Sequence, residues 1–201
     1  MALESISLAP KSGKSATHLF VALHGWGANS RDLASLAPFL NLPDMEMIFP
    51  EAPFSHPQIA GGRAWYALER SGYAGLDESR QLLTNWLLSL ETTTGIPLAR
   101  TILAGFSQGG AMTLDVGLQL PLAGLCCLSG YLHSAPQPGK QPPPVLSLHG
   151  RQDYVVPISL AREAKQKLEA AGVTVEYSEF DMGHEISPEA LAVLREFLER
   201  Y

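Results

Sequence analysis

The sequence is poor in cysteine, in positive charge and in long apolar runs, and each shortage removes a class of function. Its two cysteines, Cys126 and Cys127, are adjacent in "LAGLCCLSG". On a strand they point to opposite faces and cannot bridge each other without strain. They read as reduced core thiols suited to a reducing compartment, and a metal site would need more Cys or His at ligand spacing. Lys and Arg number 14 against 20 Asp and Glu, a formal charge of −6. With the basic residues scattered as well, a nucleic-acid surface is not expected, and nothing supports binding to acidic membranes. No apolar run approaches the length of a bilayer-spanning helix, so no integral membrane segment is expected. The start, "MALESISLAPKSGKS", has neither the basic lead nor the apolar stretch of a signal peptide, and a cytoplasmic location is the expectation.

What is present is an ordinary globular composition, 46% hydrophobic over 201 residues, a length that fits a single domain spanning 1–201. Apolar runs alternate with amphipathic stretches from end to end, the pattern of an α/β protein with a mostly parallel sheet. The strands are expected at 18–23, 45–50, 101–106, 122–129, 144–149 and 174–180. A weaker antiparallel edge is read near "ESISL". Helices are expected at 30–40, 77–91, 107–120, 157–172 and 187–201, the last capped by Ser187 with Pro188 in its first turn. Two stretches read as irregular: 51–75, a long loop rich in Pro, Gly and aromatics that can cover a site, and the Pro-rich 134–144.

The chemistry-bearing motif is "GFSQGG", which sets Ser107 between Gly105 and Gly109 where a strand passes into a helix. Such a turn strains the central residue and crowds its neighbours, so the glycines keep it sterically allowed while the hydroxyl stands exposed at a helix N-terminus. A serine hydroxyl is a weak nucleophile near neutral pH and needs a base and an orienting carboxylate. His184 in "FDMGHEI" and Asp153 in "LHGRQDYVVP" each follow the end of an expected strand, in the chain order Ser, Asp, His. Asp181 and Asp115 are weaker candidates for the acid: Asp181 ends the strand that delivers His184, and Asp115 lies within the nucleophile's own helix. An oxyanion hole needs two donors, which are assigned to the backbone amides of Gln108 and of Trp26 in "LHGWGANS". His24 is read as a structural residue that holds that loop.

At these residues the chain resembles the phospholipase/carboxylesterase branch of the α/β-hydrolases, the group that includes acyl-protein thioesterases. The resemblance runs through "VALHGWGAN", "FPEAP", "AWY", "GFSQGGAM", "LHGRQDYVVP" and "MGHEI" in order. It implies an α/β-hydrolase fold without a separate cap domain, and hydrolysis of carboxylic esters or thioesters through an acyl-serine, with no cofactor and no metal. By position it puts the nucleophile on Ser107, the acid on Asp153, the base on His184 and the oxyanion amides on Trp26 and Gln108. Many members carry an aspartate straight after the Trp–aromatic pair, where this chain has Ala67. A protein-thioesterase role therefore transfers less securely than the chemistry does.

Trp65, Tyr66 and Phe54 are assigned to substrate binding, with Tyr73 and Trp26 beside them, as the lining of an apolar acyl channel. With no cap, the cleft is expected to be open and to favour short- to medium-chain acyl esters. Thioesterase and lysophospholipase activities use the same mechanism, a serine peptidase lacks a peptide-binding feature, and a binding protein on an inactive hydrolase scaffold is the non-enzymatic alternative. The exposed aromatics leave a homodimer open.

Overall fold

The computed structural model describes residues 3–68 and 72–201. The strands of its main sheet are β1 (Ser5–Leu8), β2 (His18–Leu23), β3 (Met45–Pro50), β6 (Thr101–Phe106), β7 (Gly124–Leu128), β8 (Val145–Gly150) and β9 (Val175–Phe180), in the order β1-β3-β2-β6-β7-β8-β9. A separate two-stranded hairpin pairs β4 (Phe54–Ser55) with β5 (Arg63–Ala64). Only β1 runs antiparallel, against β3, and every other neighbour in the main sheet is parallel.

The reason is in the residues. Leu19 to Leu23 are all buried, and a strand apolar on both faces fits the middle of a parallel sheet covered by helices on each side. Alternate residues serve the two faces. Val21, Leu23 and Leu103 pack with Leu83 and Leu87 of α3 (Leu76–Thr94). Phe20, Ala22 and Ile102 pack instead with Leu194 and Phe197 of α6 (Pro188–Leu198). Such a sheet with flanking helices and no cap among the described residues is the architecture expected of an α/β-hydrolase.

Two local expectations are corrected. The helix read over 30–40 is two short ones, α1 (Ser30–Ala34) and α2 (Ala37–Leu40). Pro38 has no N–H to bond back to the carbonyl of Ala34, so a continuous helix breaks there. The stretch 51–75 is not merely a loop, since it contains the β4–β5 hairpin. Arg63 pins this hairpin by donating from Nε to Ala52 O (2.9 Å) and from Nη2 to Pro53 O (3.1 Å). The backbone of Arg63 also exchanges hydrogen bonds with Gly27 and Ala28, which ties the hairpin to the loop after β2.

Parallel pairing lines up the carboxyl ends of β2, β6, β8 and β9 on one edge. The loops after these four strands carry Trp26, Ser107, Asp153 and His184, and the site is built along that edge.

Candidate active site

Ser107 sits between β6 and α4 (Gln108–Gly117) with φ 55° and ψ −116°, a backbone region that L residues rarely occupy. The conformation persists because the surroundings over-determine it. A Cβ on Gly105 would lie 2.2 Å from the Gly109 carbonyl oxygen, and one on Gly109 would lie 2.2 Å from that of Leu23. Helix α4 thus presses on both the end of its own strand and the end of β2. The Ser107 amide donates to Leu128 O at 2.8 Å, and its carbonyl accepts from Ala111 at 3.0 Å.

The hydroxyl of Ser107 lies 2.9 Å from His184 Nε2, and His184 Nδ1 lies 2.7 Å from Asp153 Oδ2. With Nδ1–H donating to the carboxylate, Nε2 is left as a hydrogen-bond acceptor facing the Ser107 hydroxyl. Asp153 is buried, and its other oxygen accepts from the amides of Val155 (2.9 Å) and Val156 (2.8 Å). A buried carboxylate needs such donors to remain charged. His149 Nε2 donates to Val156 O at 2.8 Å and approaches Asp153 Oδ2 at 3.5 Å, so it braces the loop that presents the acid. Phe106 packs against the His184 ring at a centroid distance of 4.8 Å.

The rival carboxylates are engaged elsewhere. Asp181 pairs with Arg151 at the surface (2.7 Å), and Asp115 accepts from Arg80 at 2.9 Å.

Trp26 belongs to the loop beside the hydroxyl: a Cβ on the adjacent Gly25 would fall 3.3 Å from Ser107 Cβ. Gln108 opens α4, so its amide has no intrahelical acceptor. His24 holds the loop as a neutral imidazole, with Nδ1 donating to Gly25 O (2.8 Å) and Nε2 accepting from the Ala52 amide (3.1 Å). Burial lowers its pKa below the ordinary histidine range, which keeps Nε2 an acceptor.

The expected lining divides. Phe54 and Tyr66, with Trp26, Pro57, Ala67 and Glu78 among others, line a cleft of ≈ 410 Å³. Through Trp26 and Tyr66 this cleft lies next to the Ser107 turn. Trp65 is not among the lining residues: its side chain is fully buried, as that of Tyr66 is too, and its indole Nε1 donates to His24 O at 2.9 Å. The correction has a physical cause, because a buried indole N–H needs an acceptor and the strand-end carbonyl of His24 supplies one.

The Gln108 side chain was not foreseen. Its Oε1 accepts from the Trp65 amide (2.8 Å) and its Nε2 donates to Tyr66 O (2.8 Å), which staples the cleft segment to the first residue of α4. Tyr131 was also unforeseen. Its hydroxyl lies 2.6 Å from that of Tyr66, and burial first of all pushes its pKa up to about 12. No spacing or motif signals either contact.

The model of the phospholipase/carboxylesterase family matches residues 7–201. The chain belongs to that family. Acyl-protein thioesterase 1 homolog 2 of Dictyostelium discoideum is 33% identical over 75% of this chain and 76% of its own. Acyl-protein thioesterase 1 of Saccharomyces cerevisiae is 29% identical over 92% and 93%. The crystal structure of esterase PE8 superposes with a TM-score of 0.91 at 34% identity, covering 100% of this chain and 99% of that one. Like its family, the chain is an ester-hydrolysing enzyme of the carboxylesterase/thioesterase type, acting on a small-molecule ester. Among the described residues no helix is long and apolar enough to cross a membrane.

Proposed function

We propose that this protein is a serine carboxylesterase in which Ser107, His184 and Asp153 act as nucleophile, base and orienting acid on short- to medium-chain acyl esters. The observation that carries the reading is the unbroken hydrogen-bond chain from Ser107 Oγ through His184 to Asp153. Ser107 Oγ attacks the ester carbonyl carbon while its proton passes to His184 Nε2, and Asp153 stabilises the imidazolium that results. The carbonyl oxygen, now an oxyanion, accepts from the Trp26 and Gln108 amides, a stabilisation worth about 10² to 10³-fold in turnover per donor. Collapse of the tetrahedral adduct breaks the bond to the alcohol, which leaves with the proton from His184. Water then repeats the sequence on the acyl-serine, releasing the acid and restoring the hydroxyl.

Phe54 is the half-buried side chain that would face the substrate, the buried Tyr66 borders the same cleft, and Trp65 lies within the core. A thioester or a lysophospholipid would follow the same steps with a different leaving group, and the names of the curated relatives favour the thioester as the second reading. We place the activity in the cytoplasm, in keeping with two buried free thiols, and it needs no cofactor.

The test is labelling by a fluorescent organophosphonate, run beside hydrolysis of p-nitrophenyl esters from acetate to palmitate and of an acyl-CoA. Rapid labelling lost in Ser107→Ala, with turnover greatest on the shorter esters, is the expected result. Absence of labelling in the folded protein, or turnover that survives Ser107→Ala, would remove Ser107 from its role. A maximum on palmitate or on the thioester would replace the short-chain reading with the second one.

A further inference from the structure

His133 takes no part in the steps above, yet it lies at the centre of the aromatic packing behind the cleft. Its ring meets those of Tyr66, Tyr73 and Tyr131 at centroid distances of 4.8, 4.9 and 5.2 Å, each edge-on. Its side chain is only 3% exposed, and Nδ1 lies 2.7 Å from Asp115 Oδ2. That oxygen also accepts from Arg80 Nε (3.0 Å) and Nη2 (2.9 Å), and Arg80 Nη1 in turn reaches Asp77 at 2.9 Å.

The origins of these residues give the cluster its meaning. Tyr66 and Tyr73 come from the segment that forms the cleft, and Tyr131 and His133 from the loop after β7. Asp115 stands on α4, the helix that Ser107 opens, and Arg80 on α3. Tyr66 lines the cleft and His133 does not. Edge-to-face packing is directional, so a buried ring held against Asp115 restricts the three rings it touches, although neither ring nitrogen of His133 makes a hydrogen bond among the described residues. Tyr66 is touched at two places, by the His133 ring against its own ring and by the Tyr131 hydroxyl at its tip.

We propose that His133, in close contact with Asp115 of α4, is a positioning residue that fixes Tyr66 at the border of the cleft and so sets the enzyme's acyl-chain selectivity. The inference rests on the esterase reading above. An acetyl group is too small to reach far from the carbonyl, whereas a longer acyl chain would extend into the cleft whose shape the buried Tyr66 helps to set. Loss of the His133–Asp115 contact therefore raises KM for longer chains and leaves the chemistry at Ser107 intact.

The experiment compares His133→Phe, Asp115→Asn and Tyr131→Phe with wild type. Readouts are kcat and KM on p-nitrophenyl acetate, butyrate, octanoate and dodecanoate, the rate of organophosphonate labelling, and thermal melting. His133→Phe keeps a ring and loses the Asp115 contact, Asp115→Asn removes the charge with little change of shape, and Tyr131→Phe removes only the hydroxyl pair. The expected result is an acetate kcat/KM and a labelling rate within about twofold of wild type. The octanoate-to-acetate ratio should fall by about tenfold, carried by KM, the signature of lost binding rather than lost chemistry. An equal fall on every ester would make His133 a general structural residue and overturn the proposal, as would an unchanged ratio in variants that fold. If His133→Phe fails to fold, the other two variants decide. A wild type that neither labels nor hydrolyses any ester would instead remove the esterase reading, an outcome distinct from a labelled enzyme with flat selectivity.

Discussion

Ser107→Gly should be more stable than Ser107→Ala, although both remove the same hydroxyl. Each variant loses the contact with His184, so that term cancels in the comparison. What differs is the Cβ on a backbone held at φ 55° and ψ −116°. A side chain in such a region costs about 1–3 kcal/mol, and alanine keeps that strain. Glycine relieves it but gives back about 0.5–1 kcal/mol through the greater freedom of its unfolded chain. Mid-range values leave a difference of about 1 kcal/mol in favour of glycine. For a chain of this length 1 kcal/mol moves the melting temperature by roughly 2–4 °C, so Ser107→Gly should melt about 2–4 °C above Ser107→Ala. Thermal unfolding followed by circular dichroism, with urea midpoints on the same samples, measures it. If alanine matches or exceeds glycine, the turn is not strained as its dihedrals imply, and the account of why the serine needs glycine neighbours fails.

Gly109→Ala should destabilise by about 1–3 kcal/mol or fail to fold, because its Cβ would meet the backbone oxygen of Leu23 at 2.2 Å; a wild-type urea midpoint would contradict this. Gln108→Ala leaves the Trp65 amide and the Tyr66 carbonyl without their partner and should cost about 2–5 kcal/mol, with slow phosphonate labelling still detectable because the backbone donor remains. On β9, the hydrogen bond from Arg162 holds the Glu179 carboxyl at about 2, below its ordinary 4.5. A lowered carboxylate stabilises the fold above the ordinary value and loses that contribution as the pH falls through the lowered one. Arg162→Ala should therefore lower the melting temperature at neutral pH, with the gap to wild type closing between about pH 4.5 and pH 2; a gap that does not depend on pH would refute the assignment.

The parts of the molecule that were legible in its sequence are those where one physical demand dominates. Buried parallel strands must be apolar on both faces, and "HLFVAL", "MEMIFP" and "TILAGF" occupy the strands read for them. The hydroxyl, imidazole and carboxylate meet because three loops leave the same edge of one sheet, a consequence of strand order and direction. Where two demands compete, letters alone were insufficient. "SRDLASLAPFL" has helical periodicity throughout, yet one proline divides it. Trp65 and Tyr66 are neighbours of similar character and both are fully buried, yet only Tyr66 borders the cleft while Trp65 turns its N–H to His24. Two-residue strands such as β4 and β5 are too short to show alternation, and what fixes them is Arg63, whose partners are backbone carbonyls that no motif encodes.

The same distinction explains how the candidate site holds together. Gln108 is legible as the residue after the nucleophile, where its amide opens a helix, but its side chain makes the less legible connection to Trp65 and Tyr66. Trp65 passes the connection to His24, and His24 passes it to Ala52, on the carboxyl side of β3. On the other flank Tyr66 meets Tyr131 and His133, and Asp115 returns the path to α4. The first route begins on the short helix that strains Ser107, and the second both begins and ends there. The cleft wall and the nucleophile turn therefore share one support, and a substitution that loosens α4 should change selectivity and reactivity together, whereas one confined to His133 should change selectivity alone.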